Sequence, residues 1–186
     1  MRPLIVIFLA FHTQLATAEE FYGKYIGTVV AEWLDDGRTM KLASDFAYID
    51  PDFNRWDAPA GSVVDGASIP QFAWSIIGGP FEGPYRNASV IHDVACVSKK
   101  QSWQNVHRTF YNAMLASNVD RLTAKIMYAA VFHFGTRWTF AARTGPHLPE
   151  PELRVEVSRF DNFKEIIELR EINGNPMSLE EIESLR

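Results

Sequence analysis

Cysteine is the scarcest residue in this chain of 186 amino acids, and Cys96 is its single representative. One cysteine cannot form a disulfide within the chain, so packing or a bound metal must supply the stability. Long apolar runs are also missing. No stretch beyond the N-terminal segment reaches the roughly 18 uninterrupted apolar residues that a membrane helix needs. We therefore expect no membrane span in the mature protein.

Several catalytic motifs are absent as well. The sequence has no His-Glu-x-x-His pair of the zinc-protease kind and no glycine-rich phosphate loop. Ser68 lacks the surroundings of a nucleophile elbow. These absences argue against zinc proteases of that class, nucleotide-binding enzymes and serine hydrolases with that turn.

Charge is unevenly distributed along the chain, whose net charge is −5. Residues 150–186 carry ten acidic and five basic side chains, so the other 149 residues are neutral overall. The basic excess that nucleic-acid binding usually requires is missing, and we expect no nucleic-acid partner. The acidic end is interpreted as a solvated appendage.

The N-terminus has the three parts of a secretory signal peptide. Met1 and Arg2 give a positive start, Leu4 to Ala10 form a short apolar run, and Ala16-Thr17-Ala18 resembles a small-residue cleavage site. We expect residues 1–18 to be a signal peptide and the mature chain to begin at Glu19. This predicts a periplasmic or secreted protein.

The next segments predict an α+β domain over residues 19–145. A β-hairpin is expected from 28–34 and 39–49, joined by the turn at Asp35-Asp36-Gly37-Arg38. Four helices are expected to follow, and the hairpin or small antiparallel sheet would pack on their bundle. The predicted helices are 68–77, 85–97, 102–117 and 120–134.

A proline-rich linker is predicted to open the last segment, residues 146–186. Within this acidic tail, the partial alternation of residues 153–160 suggests an extended stretch. Ser178-Leu179-Glu180-Glu181 is a capping box that predicts a final short helix.

Three residues stand out as candidate ligands. His92 falls on a mixed face of its predicted helix, and His107 falls inside an apolar stripe, where an unpaired imidazole would cost a few kcal/mol. Asp65 sits at the junction of an apolar run and a helix start. Asp, His and His form an ordinary ligand set for a catalytic zinc ion with one position open for water.

Two neighbouring residues allow other interpretations. Cys96 follows His92 by four residues and shares its helix face, as a Cys–His nucleophile pair would, although a mid-helix position favours a small core residue. His133, on the fourth helix, is interpreted as a structural histidine with a hydrogen-bond partner.

Two sequence blocks carry a family resemblance. The block Ala58 to Pro70, which contains Asp-Gly-Ala-Ser-Ile-Pro, is followed by Trp74 and by Ala88 to Asp93, which contains Val-Ile-His-Asp. With His107 to Met114, these resemble the domain-of-unknown-function 1353 family of phage and bacterial proteins. The resemblance runs from about Phe46 to Trp138 and supports the fold and the site location. Family members often carry Asp where this chain has His107.

These observations predict a periplasmic, metal-dependent hydrolase that acts on a peptide or glycan of the cell wall, with peptidoglycan as its partner. Asp65, His92 and His107 would hold the metal, expected to be zinc. His92 and Asp93 would be catalytic, with Asp93 orienting a ligand histidine or acting as a base. The alternative is a non-catalytic secreted binding or structural module, in which the same residues form a buried polar network.

Overall fold

The computed structural model describes residues 20–65, 81, 83–139 and 153–186. Three predicted segments lie outside these ranges: the signal peptide at 1–18, the first helix at 68–77 and the start of the linker at residue 146. Within them the chain has the expected α+β fold, with six short strands followed by helices. The strands are β1 Lys24–Ile26, β2 Ala31–Trp33, β3 Met40–Leu42, β4 Phe46–Ile49, β5 Arg55–Ala58 and β6 Val63–Val64.

The predicted hairpin is present and belongs to one of two antiparallel sheets. In this sheet β3 lies between β2 and β6, with Trp33 opposite Met40. The turn closes as its residue types predict: the Asp36 carboxylate accepts the backbone N–H groups of Arg38 and Thr39. Gly37 supplies the positive φ of 67° that this turn needs.

The second sheet has the order β1-β4-β5. The stretch 39–49, predicted as one strand, is divided between the two sheets, because the chain leaves the first sheet after Leu42 and enters the second at Phe46. Phe46 and Tyr48 of β4 are fully buried. The sheet therefore contributes one face to the main core.

Three helices pack beside the sheets, with bounds close to those predicted: α1 Arg86–Ser98, α2 Trp103–Ala116 and α3 Arg121–Phe134. Ser102 and Asp120 cap α2 and α3 with their side-chain oxygens. Gly135 ends α3 with an ordinary negative φ, and glycine is needed there because a Cβ atom would collide with the Val131 carbonyl oxygen.

The segment after the linker corrects two expectations. Residues 153–160 are not extended: they open a 20-residue helix, α4 Leu153–Ile172. The segment is also not a solvated appendage, since Phe160, Ile167 and Ile182 are 0–1% exposed and belong to the main core. The capping box at Ser178 is confirmed, and it begins α5 Leu179–Glu183.

Polar contacts secure this segment to the helices. Glu183 binds Arg108 and accepts a hydrogen bond from the Tyr128 hydroxyl, and Lys125 lies 3.2 Å from Glu171. His133 donates from Nε2 to the Ile182 carbonyl oxygen at 2.8 Å, which matches its predicted structural role. The acidic charge that suggested a free tail is therefore partly used for docking.

Candidate metal centre

Helices α1 and α2 pack side by side and bring three potential ligands together. His92 and Cys96 lie one turn apart on α1, and His107 projects from α2. His92 Nε2 is 2.8 Å from His107 Nδ1 and 3.7 Å from Cys96 Sγ. All three side chains are buried, with exposures of 1%, 4% and 0%.

Aromatic rings surround the two imidazoles. Phe110 stacks on His92 with centroids 4.6 Å apart, and Trp103 and Trp138 contact the His107 ring. Such a setting contains little water, so an ionised group in it is poorly solvated. It favours neutral imidazoles, whose lone pairs can act as ligands.

The electrostatics of the two histidines agree with this. Burial lowers the pKa of His92 well below its ordinary value, and the neighbouring His107 lowers it further. Burial lowers the pKa of His107 to about 4; the Thr136 backbone opposes this and Arg137 adds to it. Both rings are therefore neutral at neutral pH, which is the protonation state that binds metals.

The outward nitrogens of the pair are poorly satisfied. Neither His92 Nδ1 nor His107 Nε2 has a hydrogen bond of good geometry within the described residues, although the Thr136 backbone lies near enough to His107 to affect its pKa. Two neutral imidazoles carry one proton each, and one of these protons lies between the two facing nitrogens, His92 Nε2 and His107 Nδ1. The other proton is therefore on either His92 Nδ1 or His107 Nε2. A proton on His107 Nε2, facing Thr136, leaves the Nδ1 lone pair directed at the cluster.

The distances can be compared with those of a zinc site. Tetrahedral zinc, with bonds of about 2.0–2.1 Å to nitrogen and about 2.3 Å to sulfur, separates its ligand atoms by about 3.3–3.6 Å. The sulfur of Cys96 lies within about 0.1 Å of that range from His92 Nε2, whereas the two nitrogens must move apart by roughly 0.5 Å. The group could therefore hold a metal ion after a small rotation of one ring.

The other candidate residues occupy different surroundings. Asp65 lies 3.7 Å from Arg38, its side chain is 43% exposed, and it is not part of the three-residue group. Asp93 is 3% exposed on α1, next to His92 in sequence. The structure thus places Cys96, as the third potential ligand, beside the two histidines. The i, i+4 spacing of His92 and Cys96 was the sequence signal for this.

A cleft lies beside the group. Ala95 and Val106 pack with Cys96 in a small apolar cluster, to which Trp56 and Trp138 add their rings. Ala95, Val106 and Trp56 also line a cavity of about 400 Å³ between β5 and α1. One layer of side chains therefore separates the ligand group from a space in which a small molecule fits.

Comparison with known proteins identifies the family. Residues 40–131 match the family described as "protein of unknown function (DUF1353)". A protein from Sinorhizobium fredii (strain NBRC 101917 / NGR234), uncharacterized protein y4iH, is 31% identical over 166 residues, which cover 79% of this chain and 70% of that protein. The chain belongs to the DUF1353 family. This confirms the resemblance seen in the Asp-Gly-Ala-Ser-Ile-Pro and Val-Ile-His-Asp blocks.

A second relative is more similar over a shorter stretch. Uncharacterized protein y4jT of the same organism is 45% identical over 139 residues, which cover 74% of this chain but only 41% of that protein. Comparison with solved structures finds no match. Among the described residues no helix is long and apolar enough to cross a membrane.

Proposed function

We propose that this DUF1353 protein is a metal-dependent hydrolase of the cell envelope, in which His92, Cys96 and His107 hold the ion. The observation that carries the proposal is the convergence of three buried ligand side chains, two imidazoles and a cysteine sulfur, from two adjacent helices. Two imidazoles and a thiolate are the donors that zinc prefers, and such a set leaves a fourth position for water.

A bound zinc ion would supply Lewis-acid activation of that water. The chain would supply the rest. Asp93 stands next to His92 and is the nearest carboxylate in sequence to the ligand group, so it is the proposed base or orienting residue. The cleft lined by Ala95 and Val106 would hold the substrate, and the layer of side chains between the cleft and the ion would have to move for the water to reach it. The predicted signal peptide argues for a cell-wall substrate, peptidoglycan.

Direct nucleophilic attack by Cys96 is less well supported. Cys96 lies two residues before the end of α1, where the partial negative charge of the helix terminus disfavours a thiolate. It is also 4% exposed. A ligand role would avoid both obstacles, because a bound ion would stabilise the thiolate and the sulfur would not need to reach the substrate.

Metal analysis of the purified mature protein tests the proposal. We expect close to one zinc ion per chain in the wild type and none in His92→Ala, Cys96→Ser or His107→Ala. His133→Ala is the matched control, since His133 is a half-buried histidine on the next helix that binds the Ile182 carbonyl oxygen. The zinc-loaded wild type should release soluble fragments from purified peptidoglycan, and the chelated protein should not.

A non-catalytic module is the second candidate, and the closed packing of the group favours it. The 2.8 Å separation of the two imidazole nitrogens is an ordinary hydrogen-bond length. In such a module the pair would fix α1 against α2, and the three variants would lose stability without any change in metal content. A wild type that is free of metal, and whose melting temperature ignores zinc and chelator, would favour this reading over the hydrolase.

A further inference from the structure

Two cavities meet at Trp56 and form one cleft. The first lies between β5 and α1, and the second, also about 400 Å³, lies between β5 and α2. Asn54, Trp56 and Gln101 line both. Together the two cavities offer room for an extended ligand, and the indole ring of Trp56 lies where they meet.

The orientation of this indole is fixed by a hydrogen bond to a buried carboxylate. Trp56 Nε1 donates to Asp50 Oδ2 at 2.9 Å. Asp50 is 5% exposed and also accepts from the backbone N–H groups of Asp52 and Asn54 and from the Asn54 amide. A ring held in this way costs little entropy when a ligand stacks on it.

Neutral amides line the second cavity. The side chains of Gln101, Asn105 and Asn112 border it, and none of them makes a hydrogen bond to another of the described residues. Each amide offers two N–H donors and a carbonyl acceptor, which suits hydroxyl groups because a hydroxyl both donates and accepts.

The charges along the cleft balance in number, with three cations and three anions in its lining: Arg55, Lys100 and Arg108, and Asp50, Asp52 and Asp57. Arg55 is paired with Asp57 at 2.6 Å, and Arg108 is paired with Glu180 and Glu183. An anionic ligand would have to break one of these pairs to bind a guanidinium. The first cavity also has an apolar wall, formed by Ile91, Val94 and Ala95.

We propose that this cleft binds a neutral glycan, with sugar rings stacked on Trp56 and their hydroxyls bound by the amides of Gln101, Asn105 and Asn112. An N-acetyl methyl group fits the apolar wall, so the ligand class is an amino-sugar chain. Its assignment as the substrate cleft of the hydrolase rests on the proposed function, but glycan binding itself requires no metal and no turnover.

The test measures binding of the N-acetylglucosamine tetramer to chelator-treated wild-type protein by titration calorimetry. The wild type should bind it. Asn105→Ala and Asn112→Ala should each weaken the affinity by about tenfold, the effect of losing a hydrogen-bonding amide. The matched control is Gln104→Ala, a neighbouring exposed amide that does not border the cleft, and it should bind like the wild type.

Trp56→Ala should abolish binding and Trp56→Phe should retain part of it, with melting curves to verify that both variants fold. Absence of tetramer binding at millimolar concentration would overturn the inference, as would equal affinities in all variants. Binding of a cell-wall stem peptide in place of the tetramer would overturn it too. Because the protein is metal-free in every arm, these failures are distinct from a failure of the metal site.

Discussion

Two isoleucines of α4 test whether the C-terminal segment is part of the folded domain. Ile167 is fully buried and Ile172 is 79% exposed, although they lie five residues apart on the same helix. Replacing a buried isoleucine by alanine removes three methyl or methylene groups and leaves a cavity, at a cost of about 2–5 kcal/mol. Ile167→Ala should therefore lower the free energy of unfolding by that amount.

The matched variant Ile172→Ala should change the free energy of unfolding by less than about 0.5 kcal/mol, because the exposed Ile172 side chain has little packing to lose and alanine is a good helix former. Urea unfolding followed by circular dichroism measures both values. For a chain of this size the Ile167→Ala loss corresponds to a fall of about 5–15 °C in melting temperature. Equal, small effects of the two substitutions would refute the packing of α4 against the core.

Further predictions concern the C-terminal contacts, the helix caps and the buried histidines. Glu183→Gln should cost about 1–3 kcal/mol in a urea titration, because Glu183 binds Arg108 and the hydroxyl of buried Tyr128. Glu180→Gln, on the same arginine but 68% exposed, should leave the urea midpoint nearly unchanged. Asp120→Ala should cost about 1 kcal/mol in thermal unfolding, and Asp120→Asn, which keeps a capping oxygen, should cost much less. In chelated protein, His107 should make the free energy of unfolding depend on acid pH. Below about pH 6.5 the unfolded state binds a proton at this histidine, whereas the folded state binds one only below about pH 4 because burial lowers the pKa. The free energy of unfolding should therefore fall by about 3 kcal/mol as the pH drops through this window. His107→Gln should lack this part of the pH slope in urea titrations at pH 7 and pH 4, and an identical slope would contradict the lowered pKa.

The helices were predictable because local chemistry marks their ends. Ser102, Asp120 and Ser178 are residues whose side-chain oxygens satisfy free N–H groups, and each caps a helix in the structure. The hairpin turn at Asp36 and Gly37 was predictable for a similar reason. By contrast, the division of 39–49 between two sheets depends on which partner strand each half meets, and no local signal records that.

The α4 helix was missed although its pattern was present. Phe160, Phe163 and Ile167 are spaced at three and four residues and are all buried, which is the helical period. The high charge of the segment and the partial alternation of residues 153–160 outweighed that period in the sequence interpretation. The charges are accounted for in the structure by contacts such as Lys125 with Glu171 and Arg108 with Glu183.

At the site, helical periodicity was sufficient to assign His92 to a mixed helix face and His107 to an apolar stripe, because each assignment depends only on its own helix. Their approach to 2.8 Å depends on how α1 packs against α2, which the sequence does not encode locally. Cys96 was weighed mainly as a core residue, since a mid-helix cysteine is usually that. Asp65 was favoured as the third ligand from its place in a loop, and its role as a ligand stays a prediction.

X-ray absorption at the zinc edge tests the central claim most directly. Metal-free protein is loaded with one equivalent of zinc, and the bond lengths around the ion are measured. We expect one sulfur at about 2.3 Å and nitrogen or oxygen ligands at about 2.0–2.1 Å, with the sulfur absent in Cys96→Ser. Failure of the wild type to retain zinc, or a zinc ion without sulfur ligation in the wild type, would contradict the ligand set of His92, Cys96 and His107.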